Sequence, residues 1–153
     1  MNIDTADRAI LQALQGDGRM SNVELATRVN LSESACLRRV RLLEQAGVIE
    51  SYTMIVNPEA IGIAGNVFAE ITLTSQKYAD LERFEAAVSA VPEIMECYLV
   101  TGDCDYLLRL VVRDTADYER IHHEHLTRLP GVARVKTSFT LRTVAKKTAL
   151  PVA

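Results

Sequence analysis

The chain has 153 residues, almost half of them hydrophobic, and a formal net charge of -3. That is enough apolar material for one domain or two small ones. The acidic balance excludes nucleic-acid binding through bulk positive charge, so any DNA affinity must come from a local cluster. No apolar run approaches the ~20 residues of a membrane span, and no signal peptide is expected at the start. Cys36, Cys97 and Cys104 are odd in number and fit no metal knuckle or Cys-x-x-Cys motif, which suits three reduced thiols in a cytosolic protein.

Residues 4–15 read as a first helix. Asp4 can cap it, Asp7 favours its positive end, and Ile10 and Leu14 with Ala6, Ala9 and Ala13 form a packing face. Gly16-Asp17-Gly18 breaks it. The stretch from Ser21 to Gly47 then fits two short helices with a tight corner at Asn30-Leu31. Ser21 and Glu24 have the spacing of a capping box, Ser32 can cap the second helix, and Gly47 stands where a left-handed residue closes a helix. Three helices in about 45 residues make a helix-turn-helix unit with its supporting helix.

The second helix of the pair carries the chemistry. At about 100° per residue, Cys36, Leu37, Val40 and Leu43 share an apolar face, while Ser34, Arg38, Arg41 and Gln45 share another. Hydrogen-bonding and cationic groups on the outer side of a packed helix suit the major groove, where Arg reaches a guanine edge or a phosphate. The candidate DNA-binding residues are Ser32, Ser34, Arg38, Arg39 and Arg41. Arg39 points nearly opposite Arg41, so it suits a phosphate or a neighbouring acid better than a base. Gln45 lies far from the helix start that usually enters the groove. A solvated basic face is the bland alternative.

Residues 48–55 alternate enough to predict a strand, stopped at Asn57-Pro58. Residues 57–65 hold a proline and two glycines and are read as a linker, between a DNA-binding domain at 1–56 and a second domain at 66–153. In the second domain, 67–73 alternates as a strand and 80–90 is helical, with Leu81, Phe84 and Val88 on one side. Residues 94–101 form a strand, 102–105 a turn and 106–112 another strand. A helix at 115–129, capped by Thr115, precedes a last strand at 132–143. The order is βαββαβ, so the fold class is α+β: a winged-helix-like helix-turn-helix followed by a ferredoxin-like domain. The open face of its sheet, carrying Phe68, Tyr98 and Val100 or their alternates, is too apolar to leave wet and predicts an isologous dimer.

His122, His123 and His125 lie beside Glu124 on a predicted helix, but no third ligand completes a metal site, and a solvated or interface helix is the reading. Lys146-Lys147 reads as a solvated tail. No phosphate loop and no catalytic constellation is found, so no enzyme, metal or cofactor is expected.

A helix-turn-helix, a linker and a ferredoxin-like domain in this order resemble the Lrp/AsnC family, the feast/famine regulators. The resemblance rests on residues 21–26 (SNVELA), 36–44 (CLRRVRLLE), 96–108 (ECYLVTGDCDYLL) and 127–132 (TRLPGV) and covers nearly the whole chain. These stretches are closer to the leucine-responsive branch than to the asparagine-responsive one. The resemblance implies a sequence-specific transcription factor that binds double-stranded DNA, dimerises, and assembles into octamers or other closed rings. It also implies an amino-acid effector bound in the second domain between dimers, at the loop Thr101-Gly102-Asp103-Cys104-Asp105-Tyr106.

The chemistry of that loop agrees. Asp103 or Asp105 could pair with an ammonium, backbone N–H groups near Gly102 could hold a carboxylate, and Leu99 and Tyr106 could line a side-chain pocket. The plain alternative is a hairpin turn. Asp105→Ala is expected to abolish an amino-acid effect without unfolding the protein. The expected function is a cytoplasmic transcriptional regulator. The rivals are an architectural DNA-wrapping protein without an effector and, more distantly, a small enzyme on a ferredoxin-like scaffold.

Overall fold

The computed structural model describes residues 2–152. The chain divides into two compact units, one holding the residues up to Ile55 together with those from Val144 onward, the other Val56–Thr143. The division falls beside the expected linker. The segment from Val144, read from sequence as the end of the second domain, is grouped with the first unit by its packing.

The first unit contains α1 (Thr5–Gly16), α2 (Asn22–Arg28) and α3 (Glu33–Gln45). Their ends are closed by local hydrogen bonds. Asp4 accepts from the Asp7 N–H at 2.9 Å, and Ser21 and Glu24 form the expected reciprocal box. Between α2 and α3, Asn30 adopts φ 60°, and the Leu31 N–H reaches back to the Ala26 carbonyl at 2.9 Å. Gly47 (φ 69°) repeats the arrangement after α3, with the Val48 N–H on the Leu43 carbonyl. Asn22 donates to the Glu33 carbonyl at 3.0 Å and ties the corner. Ile10, Ala13, Leu25, Ala26, Cys36 and Leu43 form the core. Each fully buried Leu or Ile contributes roughly 1.5–3 kcal/mol.

The strand expected at 48–55 does not form. A strand exists only when its N–H and C=O groups meet another strand, and among the described residues no strand pairs with this stretch. Val48 and Ile49 pack on the core, the Tyr52 hydroxyl donates to Glu44 at 2.9 Å, and Met54 and Ile55 are exposed. The returning tail lies along α1. Leu150 donates its N–H to Gln15 Oε1 at 2.6 Å and accepts from Gln15 Nε2 at 3.1 Å. Lys146 and Lys147 are exposed on it, as expected of a solvated tail.

The second unit contains β1 (Gly65–Leu73), α4 (Tyr78–Val88), β2 (Ile94–Leu99), β3 (Tyr106–Val112), α5 (Thr115–Glu124) and β4 (Val132–Phe139). The sheet order is β2-β3-β1-β4 with every neighbouring pair antiparallel, the ferredoxin-like arrangement. Strict alternation decides which face is covered. Val67, Ala69, Ile71 and Leu73 of β1 and Tyr106, Leu108, Leu110 and Val112 of β3 are buried with Phe84, Val88 and Ile121 of the helices. The other face carries Phe68, Leu107, Val111 and Tyr98, interleaved with the pairs Arg109–Glu96 and Lys136–Glu70.

Two boundaries differ from the sequence reading. α5 is capped by Asp114, whose carboxylate accepts from the Asp117 N–H at 2.8 Å, rather than by Thr115, and it ends at Glu124. β4 stops at Phe139 rather than near 143, because Phe139 pairs with Val67 and β1 itself begins at Gly65. Leu141, beyond the strand's end, is fully exposed.

Candidate nucleic-acid interface and effector loop

α3 presents a stripe to solvent. Ser34, Arg38, Arg41 and Gln45 line a shallow concavity of about 320 Å³ together with Leu37 and Leu42. Cys36 and Leu43 point into the core behind them. Neither Arg38 nor Arg41 has an ion-pair partner among the described residues. Ser32 caps the helix, its Oγ accepting from the Ala35 N–H at 3.3 Å and lying 3.4 Å from the Ser34 hydroxyl. Leu37, expected on the apolar face, is 39 % exposed. It sits at the border of that face, three residues after Ser34 and four before Arg41, so it is carried onto the outer stripe.

Arg39 is engaged within the first unit rather than free on the stripe. Its guanidinium lies 2.8 Å from both Asp4 Oδ2 and Asp7 Oδ1. Of the two partners weighed for it, phosphate or neighbouring acid, the acid is the one present. Asp7 is buried and Asp4 caps α1, so Arg39 ties the reading helix to the first turn of its support. The Asp7 N–H and, after it, the Arg39 guanidinium hold the Asp4 carboxyl below the usual carboxylate range. Asp7 and then Asp4 raise the Arg39 guanidinium. The signal for this clamp was present in sequence as two carboxylates three apart at a helix start, but nothing local assigned them a partner 32 residues away.

In the second unit, the loop between β2 and β3 separates into an outer and an inner part. Leu99 is 60 % exposed, and Thr101, Gly102 and Asp103 are exposed with it. Gly102 has φ 126°, a conformation open to glycine and strained for any other residue. Asp103 has no hydrogen-bond or ion-pair partner among the described residues. Asp105 and Tyr106 point inward instead. The Asp105 carboxylate accepts from the Leu73 N–H and from Gln76 Nε2, both at 2.7 Å, and its own N–H bonds the Ile71 carbonyl at 2.9 Å. Tyr106 is 1 % exposed, stacks on Phe84 with ring centroids 4.5 Å apart, and donates its hydroxyl to Glu85 at 2.7 Å. Burial and then Glu85 push its phenol well above the usual range. Within this chain the two side chains are internal braces rather than groups open to solvent, because β3 begins its inward alternation at Tyr106, opposite Ile71.

Cys36 is a buried core group of the first unit, and Cys97 packs partly buried against the core of the second. Burial raises the Cys36 thiol, and burial followed by Glu85 pushes Cys97 up to about 11, so neither is a thiolate near neutral pH. Among the described residues no three His, Cys, Asp or Glu side chains gather as a metal site.

The geometry is matched by known proteins. Residues 66–150 fit the model of the Lrp/AsnC ligand-binding domain, and residues 3–50 fit a winged helix-turn-helix DNA-binding model. The chain belongs to the Lrp/AsnC family. The leucine-responsive regulatory protein of Salmonella typhimurium is 46 % identical over 149 residues, covering 97 % of this chain and 91 % of that one, and the Escherichia coli K12 protein is 45 % identical over the same span. A transcriptional regulator of Neisseria meningitidis solved in complex with L-Met superposes with a TM-score of 0.93 at 35 % identity, covering 98 % of this chain and 97 % of that one. The feast or famine regulatory protein of M. tuberculosis complexed with L-methionine gives a TM-score of 0.89 at 32 % identity, covering 99 % of this chain and all of that one. As a member of the Lrp/AsnC family the chain is a DNA-binding transcriptional regulator with a ligand-binding C-terminal domain, and its relatives are regulators rather than enzymes. Among the described residues no helix is long and apolar enough to cross a membrane.

Proposed function

We propose that this regulator reads operator DNA through Ser34, Arg38 and Arg41 of α3, with Ser32 near the helix start, and that its C-terminal domain senses an amino acid at the loop after β2. The observation that carries the DNA reading is the exposed stripe with two guanidinium groups that have no ion-pair partner among the described residues, on an otherwise acidic chain. A single such head is weak. Two-fold pairing sets two of them at half-sites about one helical turn apart or a multiple of it, and linkage multiplies their affinity. The open sheet face, with Phe68, Leu107, Val111 and Tyr98, supports an isologous dimer, which assembles further into a closed ring such as an octamer. Sedimentation at micromolar concentration is expected to find a dimer or larger, and a monomer overturns this assembly. The place of action is the cytoplasm, where the DNA is.

At the loop, the Asp103 carboxylate receives the ligand's ammonium, N–H groups beside Gly102 receive its carboxylate, and Leu99 offers an apolar wall, with Thr101 alongside. The two methionine-bound neighbours support an amino acid as ligand class. Effector binding shifts the assembly only as far as its affinity differs between two arrangements. The test is a thermal-shift screen of the full-length protein against the twenty amino acids. A true effector at a hundred times its dissociation constant adds about 2.7 kcal/mol of stability. Asp103→Asn is expected to lose that gain while keeping the unliganded midpoint. No shift with any of the twenty overturns the sensing role.

A further inference from the structure

We infer that Leu37 is a base-reading residue, and that the operator carries a thymine whose 5-methyl group it covers. The inference rests on the proposed DNA role of α3 and deepens it. The first unit has a complete core of Ile10, Ala13, Leu25, Ala26, Cys36 and Leu43, closed at its margins by Leu11, Leu14, Met20, Val29, Leu31, Val40, Val48 and Ile49. Leu37 belongs to neither set. It is 39 % exposed on the outer side of the helix, in the same concavity as Ser34, Arg38 and Arg41.

On a helix, residues three and four apart are surface neighbours. Leu37 is three after Ser34 and four before Arg41, so polar groups flank it on both sides along the axis. A helix end that enters the major groove places such a residue against base edges rather than against the phosphate rail. There the one apolar feature a base pair offers is the thymine methyl. Leu42 is also exposed, at 41 %, but it lies more than a turn farther from the helix start and at the far rim of the stripe. The arginines would select hydrogen-bonding edges, and Leu37 would select a thymine beside them. A guanine edge next to a methyl-bearing step is the chemical class of site that results.

The experiment uses the full-length protein and a duplex enriched from a random library by that protein. Each thymine of the duplex is replaced in turn by deoxyuridine, which removes the methyl and keeps the pairing. Wild-type protein is expected to lose about fourfold in affinity at one thymine per half-site, the equivalent of ~0.8 kcal/mol for one buried methylene-sized group. Leu37→Ala is expected to be indifferent at that position, and Leu37→Met to retain part of the discrimination. Circular dichroism confirms that each variant is folded. A wild-type profile flat at every thymine overturns the proposal, as does a Leu37→Ala profile unchanged from wild type. A loss of discrimination in Leu42→Ala instead overturns the choice of residue. Failure to enrich any duplex is a different result, because it removes the DNA-reading role of α3 itself.

Discussion

Replacing Asp105 with alanine is expected to destabilise the C-terminal unit by about 2–4 kcal/mol, read as a lower urea midpoint by circular dichroism. The substitution removes a carboxylate that is 8 % exposed and fully used, Oδ2 on the Leu73 N–H and Oδ1 on Gln76. A hydrogen bond to a charged group contributes about 1.5–3 kcal/mol, and the Leu73 N–H left without a partner beneath the loop costs about 1–3 kcal/mol more. The two overlap, so the range given is below their sum. Asp105→Asn is expected to recover most of the loss. Its one oxygen, set where Asp105 Oδ2 lies, accepts from the Leu73 N–H, and its Nδ2 can donate to Gln76 once that amide turns over. This reverses the expectation from sequence, where Asp105→Ala removes an effector response and spares the fold. A variant with the wild-type midpoint and no amino-acid response would restore Asp105 as a ligand group. Asp103, exposed and without a partner among the described residues, provides the internal comparison.

Arg38→Ala and Arg41→Ala are each expected to weaken operator binding by about 1–3 kcal/mol per head. A two-fold assembly places the same change in both half-sites. The dimer then loses about 2–6 kcal/mol, from about thirtyfold to about twenty-thousandfold in affinity. The two arginines are separable by how the loss appears. One that reads a base relaxes preference at a single position of the site. One that holds a phosphate weakens all sequences alike and lowers the salt slope by about one per contact. Electrophoretic mobility shifts across a salt series measure both. Unchanged binding in either variant removes that residue from the interface. Arg39→Ala behaves differently, because its guanidinium is bound to Asp4 and Asp7. It is expected to lower the unfolding midpoint of the first unit and to leave the salt slope unaltered.

The amino-acid order by itself determined whatever is settled within about four residues of chain. The capping groups Asp4, Ser21 and Ser32, the left-handed closure at Gly47 and the outward stripe of Ser34, Arg38 and Arg41 follow from helical periodicity and from the few donors a helix end leaves open. The βαββαβ order followed the same way, from alternation broken by turn residues. Where a prediction needed a partner far along the chain, only the tertiary structure decided. Arg39 and Asp105 find their acids and amides some thirty residues away, Leu37 lies one helical step outside the core, and residues 48–55 have no strand to join among the described residues. Periodicity specifies which side of an element is apolar, but a carboxylate's partner and a strand's neighbour are chosen when distant segments pack. A short-range pattern carries no record of that choice.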